Sequence, residues 1–295
     1  MRAMEQQFSL IPQPQEAGHC GPTSLSSCLA ILGIQADQRE IARVLGKPYR
    51  VYTEGVDEFE IRKAARRFGV RTEFLHQGDK HRGASFARRL RNHLRQGLPA
   101  ILLVQGFSHW VAVIGRLEER EQFIVMDPDD RHHAFNRWSE HTLVREAWNE
   151  HPRKLEPAQY FAILTRRRDG RPARWRVTES FLRLVDAGSE QTSDEMLNDL
   201  IGMARRARSE ESEAEPGPFL YEVLEDHERV ILRSVEHWAA YNRQSVKPAT
   251  LRSLFRDYTV IASSAGLRLS KGADLAAIVA QMTTVLTTYA WLGRL

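Results

Sequence analysis

The chain has 295 residues, 42% of them apolar and 27% charged, with a formal net charge of +4. That length suits two domains and that composition an ordinary folded protein, while no apolar run approaches the roughly 18 residues of a bilayer-spanning helix. Residues 1–10 lack the apolar core and small-residue cleavage site of a secretory signal, so the cytoplasm is the expected compartment, with export by a signal-free route as the alternative.

In chain order, a glycine-containing loop leads through Cys20 into an apolar helix over Leu25–Leu32. Gln38–Leu45 reads as a short helix stopped by Gly46. Gly55–Phe68 keeps helical period with Val56, Phe59, Ile61, Ala64, Ala65 and Phe68, and Gly69 stops it. Val70–Leu75 alternates as a strand, and Phe86–Leu94 is a basic helix closed by Gly97. These two longer helices carry Arg62, Lys63, Arg66 and Arg67, then Arg88, Arg89, Arg91 and Arg95. A solvated helix face is the plain account of both clusters. Without interleaved aromatic platforms or a known motif, no nucleic-acid partner is expected.

Strand patterns follow at Ala100–Val104, Trp110–Gly115, Phe123–Met126 and Tyr160–Thr165. Helices first and an antiparallel sheet afterwards predict an α+β domain over residues 1–168. The run Arg166–Pro172 marks a boundary, and strand signals nearly vanish beyond it. Thr192-Ser193-Asp194-Glu195 reads as a capping box ahead of a helix over Met196–Ala207, and Ser209–Pro218 as a flexible connection. Phe219–Tyr241, Pro248–Ala262 and Lys271–Leu292 also read as helices. Residues 169–295 are therefore expected to form an all-α domain of four or five helices. Charge divides with the fold. Residues 1–168 hold 26 Lys/Arg against 20 Asp/Glu, residues 169–295 hold 16 against 18.

The candidate chemistry lies in the first half. A cysteine at a helix N-terminus is placed where the thiolate is favoured. His109 stands just before one strand and Asp127 just after the next, so an antiparallel hairpin brings both to the same end of the sheet. Cys, His and Asp from three separate elements are what a thiol nucleophile, its base and the base's orienter require. Cys28 reads as a small buried hydrophobe. If Cys20 opens the helix that holds Cys28, about eight residues at ~1.5 Å each separate them by roughly 12 Å. A disulfide needs Cα atoms within about 7 Å, so both thiols should be free, as suits a reducing compartment. His132, His133, His141 and His151 come without CxxC or HExxH spacing, so no metal and no cofactor is expected.

Three runs carry a resemblance to a known family: Cys20-Gly21-Pro22-Thr23-Ser24-Leu25, Ser108-His109-Trp110-Val111-Ala112-Val113-Ile114-Gly115, and Val125-Met126-Asp127-Pro128. With 89 residues from Cys20 to His109 and 18 from His109 to Asp127, roughly residues 8–168 resemble the bacteriocin-processing peptidases. These are papain-superfamily enzymes that remove double-glycine leader peptides. The resemblance implies a papain-like cysteine peptidase fold, with Cys20 as nucleophile, His109 as general base and acid, and Asp127 as orienter. It also implies a glutamine that binds the oxyanion with its side-chain amide. The family's spacing of six residues before the cysteine falls on Pro14, with Gln15 five and Gln13 seven residues before Cys20, and Gln15 is assigned the role. There is no GxxxxGK[ST] phosphate loop, so the resemblance is to a free-standing relative rather than to an exporter. The helical half has no counterpart in that family. Peptide or isopeptide hydrolysis, acyl transfer on the same three residues, and a catalytically inactive binding module acting through the helical domain all remain open. A peptide or protein is the expected substrate, and the C-terminal helices are the expected place for a protein partner.

Overall fold

The computed structural model describes residues 15–46, 48–129, 135–150, 157–171, 173, 177–187, 190–207 and 216–292. The chain divides into two compact units after Val177.

The first unit opens with four helices: α1 (Cys20–Ile31), α2 (Gln38–Val44), α3 (Pro48–Glu54) and α4 (Glu58–Arg67). Then come β1 (Val70–Gln77), a 3-10 turn at Lys80–Arg82, α5 (Gly83–Arg95), β2 (Ala100–Val104), β3 (His109–Leu117) and β4 (Gln122–Met126). β5 (Asn136–Ser139), α6 (Glu140–Ala147), β6 (Trp148–Asn149) and β7 (Gln159–Arg167) complete it. The seven strands form one antiparallel sheet in the order β1-β7-β2-β3-β4-β5, with β6 paired to β7. The unit is α+β, as the order of sequence patterns predicts.

The central strands read as continuous apolar runs because both faces of the sheet are covered. Leu102, Val104, Val111, Val113, Phe123, Val125 and Ala162 pack with α5 and α6 around Phe86, Leu90 and Leu143. The alternate residues Ile101, Ala112, Ile124 and Ile163 are equally buried, and α1 packs against β3. Burying a side chain of this size contributes about 1.5–3 kcal/mol, so this two-sided core is what holds the sheet in place.

The expected helix over Gly55–Phe68 is shorter. Gly55 has φ +69° and its N–H bonds to Val51 O at 3.0 Å, so it closes α3 instead of opening a helix. Asp57 then caps α4: its Oδ1 accepts from Glu60 N at 2.7 Å while Glu60 Oε2 accepts from Asp57 N at 3.3 Å. The excursion β5–α6–β6 gives no pattern in the sequence long enough to predict it.

The second unit contains α7 (Glu179–Ala187), α8 (Glu190–Arg206), β8 (Pro216–Phe219), α9 (Leu220–Asp226), α10 (Glu228–Tyr241), α11 (Pro248–Ser264), β9 (Arg268–Ser270) and α12 (Leu275–Trp291). Six helices, not four or five, are present among the described residues, and the unit is not all-α. β8 and β9 pair antiparallel, and a Cβ on Gly217 would stand 2.6 Å from Ser270 O, so the close approach needs glycine. A strand this short, built on Pro and Gly, shows no alternation to read. The expected helix over Phe219–Tyr241 breaks at His227 (φ −108°, ψ 7°), whose Nδ1 lies 2.8 Å from Val223 O. α8 begins at Glu190, so the run Thr192–Glu195 lies inside the helix rather than ahead of it. α12 begins at Leu275 because Asp274 Oδ1 accepts from Ala277 N at 3.1 Å. Most of the expected connection Ser209–Pro218 lies outside the described residues.

Candidate active site

Cys20 is the first residue of α1 and is partly exposed. Neither a side-chain cap nor an acidic residue occupies that first turn, so its N-terminal field is left to act on the thiol. Glycine on either side makes the placement possible. Gly18 has φ +70°, and a Cβ there would lie 2.0 Å from Val51 O. A Cβ on Gly21 would lie 2.2 Å from Val56 Cγ2 and 3.3 Å from Trp110 Cδ1. The helix end is thereby pressed onto the strand that begins with His109. Ser24 Oγ donates to Trp110 O at 2.9 Å, and Trp110 Nε1 donates to Val56 O at 3.0 Å, which locks α1, the Val56 loop and β3 together.

His109 is 6% exposed, and its Nε2 lies 2.7 Å from Asp127 Oδ1. Burial alone would disfavour a charged ring. Hydrogen bonds to Asp127 and to Cys20, with the charges of both, outweigh it and raise the imidazolium pKa to about 9. With Nε2 engaged by Asp127, Nδ1 is the ring nitrogen left to face the thiol. Asp127 is itself held, since its Oδ1 also accepts from Asp129 N at 3.0 Å.

Gln15 lies beside this turn. Its N–H donates to Pro128 O at 3.1 Å, and its Nε2 donates to Asp129 Oδ1 at 3.1 Å. Gln15 Oε1 is buried without a partner among the described residues. The side chain is thus tied to the Asp127–Asp129 stretch by one of its two amide hydrogens. Cys28 is fully buried, and burial pushes its thiol well above the ordinary range, against a lowering contribution from Thr165.

Two supports escape sequence reasoning. Asn149, 0% exposed, donates through Nδ2 to Leu103 O at 2.9 Å and Ala147 O at 3.0 Å, and accepts from Phe107 N at 2.9 Å. It fixes the turn before His109, where Gln105, Gly106 and Phe107 have φ of 54°, 64° and 72°. Left-handed backbone at two non-glycine residues is strained, and persists only where the surroundings over-determine it. Before Cys20, Glu16 N donates to Gln38 Oε1 at 2.9 Å, and the Glu16 carboxylate accepts from Arg39 Nε at 2.5 Å and from the Tyr52 hydroxyl. No local pattern marks either group; a lone Asn or Glu in a mixed stretch carries no period.

Of the histidines weighed for metal binding, His141 is exposed on α6, and His132, His133 and His151 lie outside the described residues. Among the described residues no group of three or more His, Cys, Asp or Glu could hold a metal ion, and no helix is long and apolar enough to cross a membrane.

The Peptidase_C39 like family model matches residues 5–153. Among solved structures, the peptidase domain of Streptococcus ComA, a bi-functional ABC transporter involved in a quorum sensing pathway, is 20% identical. That alignment covers 53% of this chain and 97% of that one, with a TM-score of 0.39. A double glycine motif protease from an AMS/PCAT transporter, solved in complex with the leader peptide, is 17% identical over 53% of this chain and 90% of that one, with a TM-score of 0.38. The peptidase domain of Streptococcus mutans ComA is 20% identical over 53% and 98%, with a TM-score of 0.32. No curated protein matches the chain.

Proposed function

The chain belongs to the Peptidase_C39-like family, and from that premise we propose that it is a cysteine peptidase that hydrolyses peptide or isopeptide bonds through Cys20, His109 and Asp127. The observation that carries the reading is the His109–Asp127 hydrogen bond of 2.7 Å at a histidine whose charged form is also favoured by Cys20. An imidazolium that survives to about pH 9 is present throughout the neutral range. Its charge stabilises a neighbouring thiolate, and its proton is available to the leaving amine.

The Cys20 thiolate attacks the carbonyl carbon, and the carbonyl electron pair moves to oxygen. The tetrahedral oxyanion is met by the Cys20 backbone N–H and by the Gln15 amide, which has a second N–H besides the one given to Asp129. Collapse breaks the C–N bond as His109 protonates the amine, leaving a thioester. Water, deprotonated by His109, then attacks the thioester and releases the acid and the thiolate. Asp127 holds one ring orientation throughout. Two thiols that remain free suit the cytoplasm.

The test needs no substrate. Iodoacetamide labelling between pH 5 and 9, resolved by mass spectrometry, should modify Cys20 at pH 6 at least tenfold faster in the wild type than in His109→Ala, with Cys28 unlabelled in both. Equal rates in the two proteins would end the ion-pair reading. Once a cleaved peptide is found, product analysis with an added amine separates hydrolysis from acyl transfer.

A further inference from the structure

The peptidase chemistry leaves the basic side of the first unit without a role. Helix α4 ends on Arg66 and Arg67, and the chain turns at Gly69 (φ +74°) into β1. β7 finishes alongside: Arg168 N donates to Gly69 O at 2.8 Å, and Arg71 pairs directly with Arg166 across the β1–β7 ladder. Helix, turn and strand ends deliver Arg62, Arg66, Arg71, Thr72, Arg166 and Arg168 to the walls of one open cavity of about 370 Å³. A neighbouring cavity of about 360 Å³ shares Arg62, Arg66 and Arg168 and adds Phe59, Lys63 and Arg67. Among the described residues, no carboxylate lines either cavity.

A solvated helix face does not account for this. The C-terminal dipole of α4, about half an elementary charge, favours a cation near Arg66 and Arg67 but does nothing for the strand arginines. Asp169, next to Arg168 in sequence, is engaged by Arg167 at 2.6 Å and Arg171 at 3.8 Å. Like charges directly opposite on paired strands, as at Arg71 and Arg166, are destabilising. Two polar atoms of lining residues, Arg62 Nε and Thr72 Oγ1, are buried with no hydrogen-bond partner among the described residues. Arg62 is meanwhile fixed in place, its guanidinium 3.5 Å from the centroid of the Phe74 ring, which Phe59 meets edge-on at 5.7 Å.

We propose that this cavity binds an oligophosphate anion, a chain of two or more linked phosphates, free or carried by a nucleotide. Guanidinium groups present planar pairs of donors that match phosphate oxygens, and several converging cations favour linked phosphates over a single carboxylate. The cavity has the size of a small-molecule site. Phe59, 61% exposed and lining the neighbouring cavity, offers a face on which a base would stack.

Calorimetric titration of the full chain with sodium tripolyphosphate at constant ionic strength tests the proposal. The expected result is one saturable site that Arg66→Ala/Arg168→Ala weakens at least tenfold. The control Arg88→Ala/Arg89→Ala, on exposed positions of α5, should change affinity less than twofold, with unaltered circular dichroism in both variants. Adenosine triphosphate as a second titrant separates the sources. Tighter binding that Phe59→Ala abolishes assigns a nucleotide, and equal affinity assigns the free phosphate chain. Absence of saturable heat at millimolar ligand overturns the site. So does equal weakening by both double variants, which would mark diffuse charge. Binding of a single-stranded RNA 20-mer with no tripolyphosphate binding would replace it by a nucleic-acid surface.

Discussion

The N-terminal end of α1 and its middle hold the same residue type in opposite surroundings. Cys20 sits at the helix end, partly exposed, at an N-terminus without a side-chain cap or acidic residue, with His109 beside it. Cys28 sits two turns further on, fully buried, its thiol driven up by desolvation. Helix propensity does not distinguish the two positions. What differs is the partner: the end meets a strand that begins with a polar residue, the middle meets the apolar interior. The reactivity of a thiol depends on what the tertiary fold brings to it, and apolar packing alone leaves it inert.

The sharpest way to break that contrast is to exchange the two thiols' fates. Cys20→Ala should lower turnover of any cleaved peptide by roughly 10⁴-fold or more, while Cys28→Ala keeps kcat/KM within about threefold. Comparable losses in both would mean that the helix end is not special. Next in size is Asp127→Asn, expected to reduce kcat by about 10²–10⁴-fold with the fold intact, because the ring loses its orienting acceptor. Retained kcat in a variant whose circular dichroism is native would remove Asp127 from the reaction.

The histidine gives a third, pH-dependent effect. The free imidazole titrates near 6.5, and in the folded protein the value is raised to about 9. The stabilisation from protonated His109 is therefore fully present below pH 6.5 and is lost as pH rises through about 9. Urea unfolding of wild type and His109→Ala should show a stability difference that shrinks between pH 6.5 and 9.5. A difference that stays flat would mean that the ring is neutral in the fold. Smallest is the packing effect of Cys28→Ala, about 1 kcal/mol lost to a small buried void and measured by the same unfolding curves. A Cys28 variant more damaging than that would place a second role in the middle of α1.

Much of the site is legible in the amino-acid sequence. Gly18, Cys20 and the apolar run after them mark a loop-to-helix junction. The two strands with a polar turn between them put His109 and Asp127 at one end of a hairpin, where they meet at 2.7 Å. These readings rest on local period and on turn residues, which act over a few positions. Gln15 is less legible. The family's count of six residues before Cys20 falls on Pro14, and no local pattern encodes the bond from Gln15 to Asp129, 114 positions away.

By itself the sequence determined the α+β order, the position of Cys20 at a helix start and the places of the central strands, with β3 and β7 running one to two residues further at each end than their apolar runs. Each follows from short continuous apolar runs, helical spacing or a glycine stop. Tertiary structure decided the rest. It drew a small sheet out of a half that reads as helical, pairing β8 with β9 across some fifty residues. It fixed the left-handed turn before His109 through the buried Asn149, and gathered arginines from α4, β1 and the end of β7 around one cavity. Those outcomes depend on contacts between residues far apart in the chain, whose free energy no local pattern encodes.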